Sequence, residues 1–153
     1  MRLYLDTSVF GAMFDVEPPS WKEKTKMFFR RAERRLDALY ISDVVLDEIS
    51  RAPEHLRPSL EQVVRQVRPI VLAESPETLA LAEAYVTSRV VPAKFRDDAR
   101  HVAVASVAGL DAVVSWNFKH LVNLRRKRLV HSVNVRSGYP LIDLISPEEV
   151  LYE

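Results

Sequence analysis

Short apolar runs alternate along the chain with longer segments whose apolar residues recur every three or four positions. The short runs, rich in Val, Ile, Leu and Tyr, are typical of buried strands. They lie at residues 2–5, 39–41, 70–72, 112–114 and 141–144. The periodic segments predict helices at residues 9–14, 21–39, 44–50, 55–67, 76–89, 97–108 and 123–130.

The alternation of strands with helices indicates βαβ units. Such units build a central parallel sheet with helices on both faces, so we expect an α/β fold of the three-layer α/β/α sandwich type. The 153 residues fit one domain spanning residues 1–153, and the sequence shows no internal repeat or low-complexity segment.

Composition narrows the class of protein. The chain is 48% hydrophobic and 28% charged, which is typical of a globular domain rather than a disordered one. It has no cysteine, which excludes a disulfide scaffold, a zinc-cysteine site and a thiol nucleophile. The longest apolar stretches fall short of the roughly 18 residues of a membrane span, and Asp6 interrupts any signal-peptide run. We therefore expect a soluble cytoplasmic protein.

Basic residues are clustered although the net charge is only +1. Residues 22–35 carry seven basic side chains against two acidic ones, and residues 119–128 carry five against none. Clusters of this kind suit phosphate binding, because neutralising phosphates releases counterions. The alternative is a solvated helix face.

Three acidic residues stand where parallel sheets gather their ligands, beyond strand ends or at the starts of nearby helices. Asp6 ends the first apolar run, and its other interpretation is a helix cap. Glu48 lies on or beside the predicted buried stripe of its helix. It is interpreted either as a metal ligand or active-site residue, or as the partner of Arg51 in a salt bridge. Asp98 shares a face with later apolar residues, and is otherwise an N-terminal helix charge. His101, one turn later, is interpreted as a buried histidine with satisfied hydrogen bonds.

Carboxylates that converge on one place repel one another, and a bound divalent cation removes that repulsion. An all-oxygen site without cysteine or repeated histidine selects a hard cation, Mg²⁺ or Mn²⁺, that also bridges to phosphate oxygens. Hydrolysis of a phosphodiester then needs a metal-activated water and no nucleophile from the protein. If the three carboxylates lie close together in the folded protein, the sequence therefore predicts metal-dependent hydrolysis of a phosphodiester.

Four segments of the chain resemble the PIN-domain family and, within it, the VapC-like toxin ribonucleases. They are Leu3-Tyr4-Leu5-Asp6-Thr7-Ser8 and residues 41–49, 98–103 and 114–121. The segments follow the family's order over a βαβ layout, so the resemblance covers nearly the whole chain. One subgroup also shares the string Ser-Trp-Asn-Phe-Lys-His-Leu-Val-Asn, here at residues 115–123.

The resemblance implies a PIN-like sandwich that binds RNA and hydrolyses it with Mg²⁺ or Mn²⁺. It places the metal-binding acids at Asp6, Glu48 and Asp98. The family's Ser/Thr-Trp-Asp motif falls on Ser115-Trp116-Asn117, so an amide stands where many members carry a fourth acid. Asn117 completes the catalytic ring with a carbonyl oxygen, but the lost charge weakens metal binding.

Other residues near this motif are candidates for contacts outside the metal site. Ser115 is expected to hydrogen-bond a ligand carboxylate or a metal-bound water, or else to be an ordinary turn hydroxyl. Lys119, Arg125 and Arg126 are expected to hold the RNA backbone, unless they form an exposed face. The resemblance also implies a cognate antitoxin protein and a homodimer, while the short apolar stretches predict no membrane association.

Two further functions fit parts of this pattern. A non-catalytic PIN-like scaffold that binds RNA or a protein is favoured by Asn117, which weakens the metal site. A phosphatase with an aspartyl intermediate would attack through Asp6, but its second Asp, two residues later, is replaced here by Ser8. The leading hypothesis is an endoribonuclease that acts as the toxin of a type II toxin-antitoxin pair.

Overall fold

A computed structural model describes residues 1–15 and 18–152. The five predicted strands form one parallel sheet in the order β3-β2-β1-β4-β5. Their bounds are β1 (Arg2–Leu5), β2 (Ala38–Ser42), β3 (Ile70–Leu72), β4 (Ala112–Val114) and β5 (Asp143–Ile145). The predicted α/β/α sandwich with a central parallel sheet is confirmed.

Helices connect the strands along the described parts of the chain. They are α1 (Thr7–Gly11), α2 (Pro19–Arg35), α3 (Asp43–Ser50), α4 (Arg57–Val67), α5 (Pro76–Thr87), α6 (Arg96–Val107), α7 (Leu124–Ser137) and α8 (Pro147–Leu151), with a 3₁₀ turn at Ala93–Phe95. Ser42, Ser75 and Asn123 each accept a backbone N–H at the start of α3, α5 and α7. Polar caps therefore fix where these helices begin. Among the described residues, no helix is long and apolar enough to cross a membrane.

Some predicted bounds are wrong, each for a local reason. Helix α2 ends at Arg35, short of residue 39, because Leu36 adopts a left-handed conformation with φ of 57°. Helix α7 continues to Ser137, beyond residue 130, until Gly138 ends it with φ of 80°. Strand β5 begins at Asp143 rather than at residue 141, and the short helix α8 and the 3₁₀ turn were not predicted.

The central strand β1 forms the middle of the core. Its residues Leu3, Tyr4 and Leu5 are fully buried, and it pairs with β2 on one side and β4 on the other. In this parallel arrangement the carboxyl ends of β1, β2 and β4 meet at one edge of the sheet. Asp6 and Ser115 directly follow β1 and β4, where the Asp6 N–H donates to the carbonyl of Val114 (3.2 Å). The sheet thus brings residues distant in sequence to one edge.

Candidate active site

Asp6 lies just beyond β1 in a buried position, 4% exposed. Its Oδ1 accepts hydrogen bonds from the backbone N–H (3.0 Å) and the hydroxyl (2.5 Å) of Ser8, and its Oδ2 accepts one from the Ser115 hydroxyl (2.6 Å). Burial raises the pKa of Asp6, although His101 and the two hydroxyl donors oppose the rise. The predicted helix cap is therefore present. The same carboxylate is also close enough to Glu48 and Asp98 to interact with their charges.

Glu48 projects from α3 and is about a quarter exposed. Its Oε1 accepts a hydrogen bond from the Thr7 hydroxyl (2.7 Å) and another from Nε2 of His101. Burial by itself raises the pKa of Glu48, but the hydrogen bond and charge of His101 lower it further than burial raises it. The alternative salt bridge is wrong, because Arg51 bonds instead to Asp47 and Asp97, at 3.1 Å each.

Asp98 lies in the first turn of α6 and is half-buried. Its Oδ2 accepts a hydrogen bond from the side-chain amide of Asn117 (3.3 Å). Burial and the negative charges of Asp6 and Glu48 raise the pKa of Asp98 to about 7, against the effect of His101. This shared electrostatic field places the three predicted acids in one cluster, in which the charge of Asp98 is the least compensated.

His101 is a buried histidine of α6 whose two ring nitrogens both have partners, as predicted. Nε2 donates to the Glu48 carboxylate, and Nδ1 lies 2.6 Å from the hydroxyl of Tyr4. That hydroxyl lies 2.7 Å from Oγ of Ser42, the cap of α3. A continuous polar chain therefore joins the start of α3 to the carboxylate that the same helix carries.

The Ser115-Trp116-Asn117 motif closes the other side of the cluster. The Ser115 hydroxyl donates to Asp6 and accepts the backbone N–H of Asn117 (2.9 Å), so it is both a turn hydroxyl and a carboxylate partner. The Asn117 side chain donates to Asp98 and accepts the backbone N–H of His120 (3.0 Å). An amide at residue 117 therefore satisfies an acceptor that another carboxylate would repel.

The chemistry of these donors fits a hard divalent cation. Asp6, Glu48 and Asp98 offer carboxylate oxygens within one another's field, and burial, followed by the charges of Asp6 and Glu48, raises the pKa of Asp98. Across residues 1–15 and 18–152, however, no three Asp, Glu or His side chains lie close enough to hold one metal ion together. Mg²⁺ is often held by one or two carboxylates plus waters, so direct ligation by two of the three suffices.

The predicted basic residues differ in their surroundings. Lys119 and Arg125 are exposed. The guanidinium of Arg126 is half-buried and donates to the carbonyl oxygen of Val90, so it anchors α7. In the basic cluster at residues 22–35, Lys24 of α2 forms an ion pair with Glu148 of α8 (2.6 Å). Part of the basic charge thus holds the fold together.

Two features of the site were not predicted from the sequence. One is the polar chain through Tyr4 and Ser42, since a tyrosine within an apolar run looks like an ordinary core residue. The other is an aromatic cluster beside Asn117, formed by Trp21, Trp116 and Phe118. The two tryptophans are 95 residues apart in the sequence, and only the fold brings them together.

The fold resembles that of a chain in a solved crystal structure. One chain of the crystal structure of VapBC2 from Rickettsia felis bound to a DNA fragment from their promoter aligns with a TM-score of 0.55. The alignment covers 95% of this chain and 98% of that chain, at 14% sequence identity. No family model matches the sequence, and no curated protein matches it. At this identity the likeness shows that the two chains share a fold.

Proposed function

We propose that the protein is a divalent-metal-dependent endoribonuclease that acts as the toxin of a type II toxin-antitoxin pair. The observation that carries the proposal is the carboxylate cluster at the edge of the sheet. Asp98 is half-buried, its pKa is raised to about 7, and the charges of Asp6 and Glu48 contribute to that rise. A fold tolerates such uncompensated charge most readily where a cation binds.

Mg²⁺ or Mn²⁺ is the proposed cofactor, bound at Asp6, Glu48 and Asp98, with two of these carboxylates as direct ligands and the third contacting the ion through a bound water. When bound, such an ion supplies an activated water and stabilises the leaving oxygen of the phosphodiester. The serine hydroxyls fix both oxygens of Asp6, while Thr7 and His101 occupy Oε1 of Glu48. Among the described residues, Oε2 of Glu48 and Oδ1 of Asp98 accept no hydrogen bond, so we propose that these two oxygens face the cation.

The proposed substrate is based on exposed basic side chains, and the proposed protein partners are based on the structural neighbour. Lys119 and Arg125 are exposed near the motif loop and are proposed to bind the RNA backbone. Because the structural neighbour is a VapBC complex, we propose that an antitoxin protein binds this chain too, and that the chain forms a homodimer. We also propose that the protein acts in the cytoplasm.

The metal proposal is tested by calorimetric titration with Mn²⁺. Wild type is expected to bind saturably, and Asp6→Asn and Asp98→Asn are expected to weaken binding more than the roughly 100-fold that loss of an outer hydrogen-bond partner can cause. Asp97→Asn is the matched control, because its carboxylate lies next to Asp98 but bonds to Arg51 and Arg100. Equal affinity in wild type and Asp98→Asn would contradict the proposal.

Cleavage is tested with the same variants on RNA in the presence of Mg²⁺. Wild type and Asp97→Asn should cut, while Asp6→Asn and Asp98→Asn should remain folded and not cut. Equal cleavage by all four proteins would indicate a contaminating nuclease or a different site.

A non-catalytic PIN-like scaffold is the second candidate. Two observations favour it: Asn117 replaces a carboxylate, and the described residues contain no preassembled group of three metal ligands. A scaffold is expected to bind RNA or a protein without saturable Mn²⁺ binding at Asp6. The titration above therefore separates the two functions.

A further inference from the structure

Phe118 presents an exposed aromatic ring beside the candidate active site. It is 43% exposed, whereas Trp116 is 3% exposed. Its ring centroid lies 5.8 Å from that of Trp21, at 60°, and 6.1 Å from that of Trp116, at 68°. The two tryptophans stack on each other at 4.6 Å and 11°, and Nε1 of Trp116 donates to the hydroxyl of Thr25 (2.9 Å). Phe118 thus rests on a firmly anchored aromatic base.

The backbone around Phe118 is held on both sides. Its N–H donates to the carbonyl oxygen of Trp116 (3.0 Å), and its own carbonyl oxygen accepts from the side-chain amide of Asn123 (2.8 Å). The same amide also donates to the carbonyl oxygen of Lys119 (3.2 Å). Because these bonds fix the loop, the exposed position of the ring belongs to the folded structure.

The surroundings of the ring favour a nucleic acid over an apolar protein surface. The preceding residue, Asn117, donates to Asp98, so Phe118 directly follows a residue that contacts the carboxylate cluster. Lys119 follows it and is exposed, with no ion pair in the described part of the chain. Lys94 lies over the ring of Phe95, which packs on His120, two residues after Phe118 in the sequence. A flat ring bordered by cations matches a base with its phosphates.

We infer that Phe118 is a stacking platform for a base of single-stranded RNA, next to the phosphate that the carboxylate cluster addresses. This inference rests on the proposed function for its ligand, RNA. A duplex keeps its bases inside the helical stack, so a base can lie on Phe118 only where the strand is unpaired. The substrate class is therefore RNA that is single-stranded at the cleavage site.

Binding is measured without cleavage, by fluorescence anisotropy of a labelled 2′-O-methyl RNA octamer in EDTA. Phe118→Leu keeps an apolar side chain but removes the aromatic face, and it should raise the Kd about 5- to 150-fold, the range for loss of one stacked base. Phe118→Trp should retain affinity. Tyr139→Leu is the control, because the Tyr139 hydroxyl donates to Glu77 (2.7 Å), so that a carboxylate and not a cation borders this ring. It should leave the Kd within twofold of wild type.

Oligonucleotides with one abasic position locate the stacked base. The penalty of Phe118→Leu should vanish at one abasic position and persist at the others, as in a double-mutant cycle. The duplex form should bind wild type more weakly than the strand. An unchanged Kd for Phe118→Leu, a penalty that persists at every abasic position, or preference for the duplex would each overturn the inference.

The outcomes also separate this inference from the proposed nuclease. Stacking without Mn²⁺ binding would support Phe118 as part of an RNA-binding scaffold and would contradict catalysis. Mn²⁺-dependent cleavage with an unchanged Kd for Phe118→Leu would support the nuclease and overturn the stacking role. If wild type binds no RNA, the stacking role is wrong, and the exposed ring is left for a protein partner.

Discussion

Replacing Asp98 by Asn is expected to stabilise the protein in the absence of metal. The pKa of Asp98 is raised from 3.8 to about 7 by burial and by the neighbouring carboxylates. Between about pH 4 and pH 7 the folded protein keeps this proton while the unfolded chain releases it. The free energy of unfolding therefore falls as the pH rises through this window, and the full loss is present above about pH 7.

The size of the effect follows from the two pKa values. Each factor of ten between the acid dissociation constants corresponds to about 1.4 kcal/mol, so the ionised Asp98 costs about 4 kcal/mol of stability at pH 8. An Asn side chain has a similar shape, still offers an acceptor to Asn117, and carries no charge. Asp98→Asn should thus raise the free energy of unfolding by about 4 kcal/mol at pH 8, and by less than half of that at pH 5.

Urea unfolding in EDTA, followed by tryptophan fluorescence at several pH values, measures this gain. Asp97→Asn is the control with the opposite sign, because hydrogen bonds from Arg51 and Arg100 lower the pKa of Asp97 against the effect of burial. That control should destabilise the protein at pH 8. If Asp98→Asn brings no gain at pH 8, or a gain that does not depend on pH, the electrostatic account of the cluster is refuted.

Three further changes test the local structure by urea unfolding. Leu36→Gly should stabilise the protein by about 0.5–1 kcal/mol, because Leu36 is exposed with φ of 57°; a loss of stability would contradict this. Ser115→Ala should cost about 1–3 kcal/mol, because buried Asp6 loses a hydrogen-bond donor, and an unchanged midpoint would show that donor to be dispensable. Tyr4→Phe should also cost about 1–3 kcal/mol, since its hydroxyl joins Ser42 to buried His101; a neutral result would mean that the chain adds no stability.

The fold could be predicted largely because its strands are continuous apolar runs. A parallel strand buried on both faces has such a pattern, which β4 matches at every residue and β1 matches at every residue after Arg2. The end of α7 could not be predicted, because polar residues follow Val130 at His131, Ser132 and Asn134. In the folded protein that asparagine is fully buried, where it accepts from the hydroxyl of Tyr85 and donates to Ser106 (3.0 Å). From the sequence alone, a polar residue that is buried in the core looks like the end of the apolar pattern, and so it predicts the end of the helix.

The site was predictable to the extent that it follows from topology. Asp6 ends a strand and Asp98 begins a helix, and parallel sheets bring such positions to one edge. The hydrogen-bond partners of each side chain could not be predicted in this way, because they depend on contacts between segments that are distant in the sequence. The Tyr4 hydroxyl meets residues 38 and 97 positions away, and Arg126 is drawn to a backbone carbonyl 36 positions away. No local pattern carries that information.

Asn117 is best understood from the charge that the metal-free fold must tolerate. Three carboxylates already share one edge, and their field, together with burial, suffices to raise the pKa of Asp98 to about 7. A fourth carboxylate at residue 117 would face Asp98 without a proton to donate, whereas the Asn117 amide donates a hydrogen bond to it. The amide therefore lowers the electrostatic cost of the empty site and, by the same charge, the affinity for a cation. At residue 117, a change that stabilises the metal-free protein also weakens its affinity for metal. A weaker Mn²⁺ affinity is therefore an expected consequence of the amide and does not by itself indicate an inactive site.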